Sequence, residues 1–495
     1  MSSSTDERPV TAGIIIVGDE ILKGQTQDTN SHFLCKRLFA LGVQVKRISV
    51  IGDDLEEIAK EVAEFSQKFT HVITSGGVGP THDDMTFEGV AKAFNTETVA
   101  HPELVKLLEK YFGPESLDAA KMKMAEVPAT AQLQYGVNKS TGEKTKYPLV
   151  SVANVYMFPG VPSLLERAFV LLEDTFKNPN STFHTLELYV NQNETNIASQ
   201  IKQVAEKFKQ AVVIGSYPDF HNSYYKVKLS LESTNLHQLT SAYDELKSSM
   251  PEGAVVSYEK DPIGKAAEHV YEIVGRQQDD VFTRSVKQAV SVIEEALDKY
   301  TSLEEICLGF NGGKDCTALL HLFHAVVQKR YPDRKGKLQA LYIRSRLPFP
   351  EVELFVSNAC QRYNLELIRY EGRIKENLAA LKQGHPGVKA VLMGTRKTDP
   401  YSDHLESFSM TDPDWPQFMR VNPILNWNYE VVWRFLRELC LPYCSLYDQG
   451  YTSLGSMNNT HPNPMLQFID HNGIVSYKPA YELVENGNER DGRNT

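Results

Sequence analysis

Two glycine-rich turns, each set between a short apolar run and a helical stretch, constrain this chain more than any other feature. The first is Ser75-Gly76-Gly77-Val78-Gly79-Pro80-Thr81-His82-Asp83-Asp84, after the apolar run 71–74. The second is Phe310-Asn311-Gly312-Gly313-Lys314-Asp315-Cys316, after the run 306–310. A strand that passes through uncovered backbone amides into a helix belongs in an open α/β sheet. It aims the positive helix end at any anion that arrives. Around both turns the strand and helix signals alternate. Residues 11–17, 43–51 and 71–74 read as strands, with helices over 31–41 and 55–69. Farther on, strands at 306–310, 338–344, 366–370 and 388–393 alternate with helices at 316–330, 351–363 and 373–382. Between them, strands at 186–190, 211–214 and 225–231 accompany helices at 196–208 and 236–250. The expected fold is α/β, with two doubly wound, mostly parallel-sheet domains over 11–170 and 275–495. A small α+β module over 183–260 joins them.

Bulk properties narrow the function. A formal net charge of −11 argues against a nucleic-acid binder, so anionic ligands must be captured locally. The longest uninterrupted apolar run is five residues, Ala168 to Leu172, which predicts no membrane span. Residues 1–7 hold two acids and no apolar stretch, unlike a secretory or mitochondrial leader. The six cysteines lack Cys-x-x-Cys spacing and read as reduced thiols, so the expected location is cytoplasmic.

In the second turn, adjacent Gly312 and Gly313 leave amides that phosphate oxygens can approach, and Lys314 adds a point charge. Asp315 is placed either to cap the helix or to hold magnesium. The pattern lacks the spacing of a Walker A loop. Gly394-Thr395-Arg396-Lys397-Thr398-Asp399 follows the strand 388–393, so it falls on the same sheet rim. There Arg396 and Lys397 can face phosphate, and Asp399 can share a metal with Asp315. All three tryptophans lie between 415 and 433. Trp427 and Trp433 read as core, whereas Trp415, flanked by prolines, suits a flat aromatic ligand. Arg490 and Arg493 lie three apart in a polar end segment, which the residues alone read as a solvated tail.

The second turn resembles the PP-loop of the ATP pyrophosphatase and sulfonucleotide reductase superfamily, with Asn311 and Cys316 where that loop has serines. Taken with Gly394-Thr395-Arg396, Thr398-Asp399-Pro400, Thr411-Asp412, Trp415-Pro416, Asn422-Pro423-Ile424-Leu425, Gly450 to Gly455, Glu489-Arg490 and Gly492-Arg493, residues 275–495 resemble eukaryotic FAD synthase, the FMN adenylyltransferase family. That resemblance implies transfer of AMP from ATP to FMN, with magnesium, giving FAD and pyrophosphate. It implies that Gly312 and Gly313 hold ATP phosphates and that Asp315 and Asp399 assist magnesium. Asp412 would face the flavin, while Asn311, Arg490 and Arg493 stabilise charge during transfer. Delivery of FAD to apo-flavoproteins belongs to the same expectation.

The first turn, with Gly18-Asp19-Glu20 and Phe158-Pro159-Gly160, resembles the molybdopterin-binding fold of the MoaB and CinA proteins over 11–170. The module at 183–260 weakly resembles the KH-like module that follows that domain in CinA. The fusion suggests a metal-dependent FAD hydrolase, with Ser75, Gly76 and Gly77 binding ligand and Asp83 and Asp84 binding metal. A regulatory or vestigial domain is the alternative. Such folds often assemble as trimers or dimers, so a homo-oligomer through this domain is a further expectation. Two other whole-chain readings stay open: a pterin- or flavin-binding regulator without turnover, and a sulfonucleotide reductase, which would need a reactive cysteine beyond Cys444.

Overall fold

The structure, a computed structural model, describes residues 9–470, 473–484 and 488–493. The leader reading of residues 1–7 lies outside them. The chain divides into two compact units. One holds residues 9–187, 199–215 and 230–249; the other holds 188–198, 216–229 and 250–493.

The first unit is built on a six-stranded sheet. Its order is Gln44–Ile51, Thr11–Val17, His71–Ser75, Val155–Phe158, Leu149–Val152 and Gln132–Gln134. The first four strands run parallel and the last two antiparallel. Ile14, Ile15, Ile16 and Val17 are all buried because helices cover both faces of the parallel part. Ile15 and Val17 pack with Ile58, Val62 and Phe65, while Ile14 and Ile16 pack with Leu34, Leu38 and Phe169. The chain passes from Thr11–Val17 first to one side and then to the other, so Ser75-Gly76-Gly77 emerges at the switch point of the sheet.

In the second unit a six-stranded sheet runs Leu365–Glu371, Leu338–Arg344, Ile306–Gly309, Ala390–Leu392, Met419–Val421 and Phe408–Met410. Only the last strand is antiparallel. Ile306–Gly309 and Ala390–Leu392 are parallel neighbours. The turns after them, 310–314 and 393–399, therefore leave the same rim. Helix Lys314–Arg330 covers the sheet with Ala318, Leu319, Leu322, Phe323, Val326 and Val327, all buried as its spacing predicts. The capping role open to Asp315 is not adopted: Gly313 is the N-cap, without a side-chain bond, and Asp315 sits in the first helical turn.

Residues 184–256 supply the α+β segment: strands His184–Val190, Val213–Pro218, Val227–Ser233 and Val255–Val256, with helices Glu194–Lys207 and Leu236–Ser249. Among the described residues no helix is long and apolar enough to cross a membrane. All six cysteines are unpaired.

Candidate functional site

Helix Lys314–Arg330 starts from a turn that is tied down at nearly every amide. Gly312 has φ +77°, which glycine adopts freely, and a Cβ there would come within 3.0 Å of Val356. Asn311 turns its Oδ1 inward, where it accepts from Gly313 N at 3.0 Å and from the Cys316 thiol. The Lys314 amide donates to the Tyr447 hydroxyl at 2.8 Å. The amide of Gly313 is thus not bare, as the sequence suggested, but held ready on a side-chain oxygen. Gly394 lets the second turn approach closely: a Cβ there would lie 3.0 Å from Cys316 N.

Below this turn lies a cluster of charges. Lys314 and Arg396 are each only 2% exposed. Lys314 Nζ bonds Asp315 at 3.0 Å and also Glu489. Arg396 Nη2 donates to both oxygens of Glu489 at 2.7 Å. These two cations therefore do not stand free before an incoming phosphate; carboxylates already occupy them. Asp399 accepts from Arg396 N at 2.9 Å and from Arg490 Nη2 at 3.2 Å. Burial opposes the Asp315 charge, but Lys314 and Arg396 hold its carboxyl below the usual range. Arg396 Nε lies 2.9 Å from Asp315 Oδ1 but off the hydrogen-bonding direction. Asp315 Oδ1 consequently accepts no hydrogen bond, and Arg396 Nη1 donates none. A buried acceptor for a cation and a buried donor for an anion sit side by side, which fits a magnesium ion arriving with phosphate oxygens. A full protein cage is not built, since among the described residues no three His, Cys, Asp or Glu side chains are grouped to hold a metal. Magnesium characteristically binds one or two carboxylates and completes its shell with water and phosphate.

The end segment is not a solvated tail. Within residues 488–493, Thr452 Oγ1 donates to Glu489 O at 2.7 Å, and Asn463 Nδ2 donates to Asn488 O at 2.8 Å. His461 N donates to Gly492 O at 2.8 Å. The Arg493 guanidinium lies against Gly455, where a Cβ would come within 2.4 Å. Arg490 thereby reaches Asp399 on the turn after Ala390–Leu392, and Arg493 is tied to it, a placement the residues alone did not indicate.

Asp412 and Trp415 lie on the hairpin turn between Phe408–Met410 and Met419–Val421. Their turn, 411–418, leaves the amino end of Met419–Val421, whereas Gly394 follows the carboxyl end of its parallel neighbour Ala390–Leu392. It folds back along helix Ile374–Gly384, where Lys375 Nζ bonds Asp414 at 2.6 Å and lies 5.8 Å from the Trp415 ring centre. Asp412 touches Arg420 at 3.5 Å and is well exposed. Trp415 is half-buried, while Trp427 and Trp433 are core residues, as expected. No bond among the described residues ties Asp412 or Trp415 to the glycine turn.

The first unit's turn differs. Gly76 has φ +108°, with Val17 O 2.0 Å from the place of a Cβ, so no side chain fits there. Gly77 has φ +62° and the Thr86 hydroxyl bonds Gly76 O at 2.8 Å. Ser75 is fully buried and accepts from Asn30 Nδ2 at 3.0 Å, so it is a strut rather than an open ligand contact. Asp84 folds back to accept from Thr81 N at 2.8 Å, while Asp83 is 60% exposed beside His82. Two carboxylates adjacent in sequence thus have different partners here, Asp84 bonded back to Thr81 and Asp83 open to solvent.

Burial raises the pKa of all six thiols, and pushes Cys316 up to about 12. Burial thus disfavours the thiolate at every cysteine, which lends no support to a sulfonucleotide reductase. Sequence reasoning quoted Glu489 only as part of the Glu489-Arg490 motif and gave it no role, because an acid between polar neighbours carries no sign of being withdrawn from solvent. It also missed Tyr447, whose only signal was its place in an aromatic-rich stretch.

Three family models match the chain. One described as "Probable molybdopterin binding domain" matches residues 13–177, and "FAD synthase, middle domain" matches 182–259. "Phosphoadenosine phosphosulfate reductase domain" matches 305–388 and 374–462. The chain is 40% identical to a "Probable FAD synthase" of Caenorhabditis briggsae, across 98% of this chain and 96% of that protein. To the "Probable FAD synthase" of Caenorhabditis elegans it is 39% identical, across 98% and 97%. It is also similar to a "Flavin adenine dinucleotide synthase" of Saccharomyces cerevisiae, at 29% identity across 45% of this chain and 82% of that protein.

Proposed function

Since the chain belongs to the FAD synthase family, we propose that it transfers the AMP group of ATP to FMN and releases FAD and pyrophosphate. The observation that carries this reading is the convergence, on one sheet rim, of a glycine turn, an Asp315–Arg396 pair with an unpartnered acceptor and donor, and two tail arginines. Such a rim receives polyphosphate and offers no acid–base pair.

The reaction needs none. A phosphate monoester has a second pKa of about 6, so FMN is largely dianionic at pH 7 and already a nucleophile. Its phosphate oxygen bonds the α-phosphorus of ATP, the bond to the bridging oxygen breaks, and pyrophosphate leaves with the electron pair. The barrier lies in bringing two polyanions together, which calls for positioning and positive charge. Gly312, Gly313 and the helix start receive phosphate oxygens. Gly394 and Thr395 shape the facing wall. Asn311, with Oδ1 held inward, presents its Nδ2 to a ligand oxygen. Arg490 and Arg493 balance the charge that builds on the leaving pyrophosphate, as arginine forks do well. Asp315 and Asp399 would hold magnesium, which neutralises phosphate charge when bound. Asp412 and Trp415 would face the flavin ring, an assignment that rests on the family resemblance and on the aromatic face of Trp415. Lys314 and Arg396 serve from below, through the carboxylates they hold.

The unpaired thiols suit a reducing compartment, and we assign the reaction to the cytoplasm. Assembly through residues 11–170 and hand-over of FAD to apo-flavoproteins are parts of this reading that rest on the resemblance alone. The direct test supplies FMN, ATP and magnesium to the full chain and follows FAD by fluorescence and pyrophosphate by a coupled assay. Equimolar FAD and pyrophosphate are expected, and their loss when EDTA removes the metal. Tight flavin or pterin binding without product would instead make the protein a regulator.

A further inference from the structure

Glu489 occupies the place where the two cations of the glycine-turn region would otherwise be free. Its carboxylate takes both 2.7 Å bonds from Arg396 Nη2 and the bond from Lys314 Nζ, and its backbone oxygen takes one from Thr452. The next residue, Arg490, reaches Asp399, whose other oxygen holds the backbone of Arg396. Arg493 N donates to Arg490 O at 2.8 Å, which fixes the second arginine to the first. A single carboxylate, 12% exposed, therefore joins the turn that follows one strand, the turn that follows its neighbour, and the end segment.

We propose that Glu489 is a positioning residue: docked on Lys314 and Arg396, it sets the register in which Arg490 and Arg493 meet the reacting phosphates. This rests on the adenylyl-transfer reading above. It also gives Lys314 Nζ and Arg396 Nη2 their task, which is to receive Glu489, while Arg396 Nη1 stays open to a phosphate oxygen. A slip of one residue in an extended segment moves a side chain by about 3.5 Å. A misplacement of 1 Å can cost about 100-fold in rate. Neutralising Glu489 leaves two cations, each 2% exposed, with Asp315 and a 3.9 Å contact from Arg396 to Asp399 as their remaining carboxylates, so the segment loses its dock.

The experiment is a double-mutant cycle on the full chain, with kcat and KM read from radiolabelled ATP so that low rates are measured. Glu489→Gln is expected to lower kcat by about 100-fold while KM for ATP changes by about 3-fold or less, because the glycine turn that holds ATP is intact. In an Arg490→Ala, Arg493→Ala background the same change should have no further effect on kcat, since nothing is left to position. Trypsin, which cuts after arginine, should cleave at Arg490 faster in Glu489→Gln than in the unaltered chain. If the variant melts below the assay temperature, Glu489→Asp replaces it; this keeps the charge but is one methylene short. Equal losses in both backgrounds, or an unchanged kcat with the segment still protected from trypsin, overturn the proposal. An unaltered chain that makes no FAD would instead overturn the adenylyl-transfer reading.

Discussion

Lys314 follows two glycines at a helix start, the position from which a lysine ordinarily reaches phosphate. Here it points inward, and its ammonium lies 5.2 Å from the Tyr429 ring centre as well as against Asp315 and Glu489. An ammonium taken out of water recovers its hydration cost only through close carboxylates, so the three charges stand or fall together. Lys314→Met should therefore destabilise the protein by about 3 kcal/mol, read as a shift of the urea midpoint at constant slope. A lysine that merely faced solvent and phosphate would leave that midpoint in place. The same chemistry explains why this residue misled the sequence reading. Its neighbours in sequence fix a glycine turn, but its ion partner is 175 positions away.

Elements with strong apolar runs were legible. Thr11–Val17 matches its expected bounds because four consecutive β-branched residues bury on both faces, and Lys314–Arg330 was readable from its core stripe. Gln132–Gln134, Phe408–Met410 and Met419–Val421 were not, since three-residue strands, two of them at sheet edges, carry too little alternation to announce themselves. The candidate site divides in the same way. Glycine turns could be placed on a rim because strand direction fixes it, yet the course of the turn that carries Asp412 and Trp415 depends on the unread hairpin. The glycine turn itself is a junction between elements, and Gly312 is where it is tightest. Gly312→Ala would need φ +77° and would press a methyl group 3.0 Å from Val356 on helix Pro350–Arg362. The turn must shift outward, taking the Gly313 amide off Asn311. The expected result is a fall in kcat/KM for ATP of about 10-fold or more, equivalent to about 1.4 kcal/mol of transition-state stabilisation. Melting temperature should drop by only a few degrees, a split that steady-state kinetics and calorimetry on one preparation will show.

Across the second unit, the segment that supplies the glycine turn does not close its own core. Tyr224 is buried and donates to Leu436 O at 3.0 Å and also to Leu441 O. Arg437 donates to Ser223 O at 2.6 Å and stacks at 4.3 Å on both the Tyr224 and Tyr481 rings. Ser223 Oγ bonds Asp448 at 2.6 Å, one residue beyond the Tyr447 whose hydroxyl receives the Lys314 amide. Residues 216–229 are thus part of the second unit's interior, even though they belong in sequence to the segment between the two large sheets. A fragment of 261–495 would lose all of these partners and leave Arg437 and Asp448 half-buried without Ser223. A fragment of 182–495 keeps them. The shorter fragment should melt well below the longer one, and the gap should exceed the roughly 2–4 °C that a loss of about 1 kcal/mol produces in a chain of about 150–250 residues, because several buried bonds go at once. FAD formation by the longer fragment should stay near that of the full chain, while the shorter one should lose turnover through a displaced Tyr447. Equal melting temperatures would mean that the 216–229 segment only rests on the surface, and that the glycine turn is braced from within residues 261–495 alone.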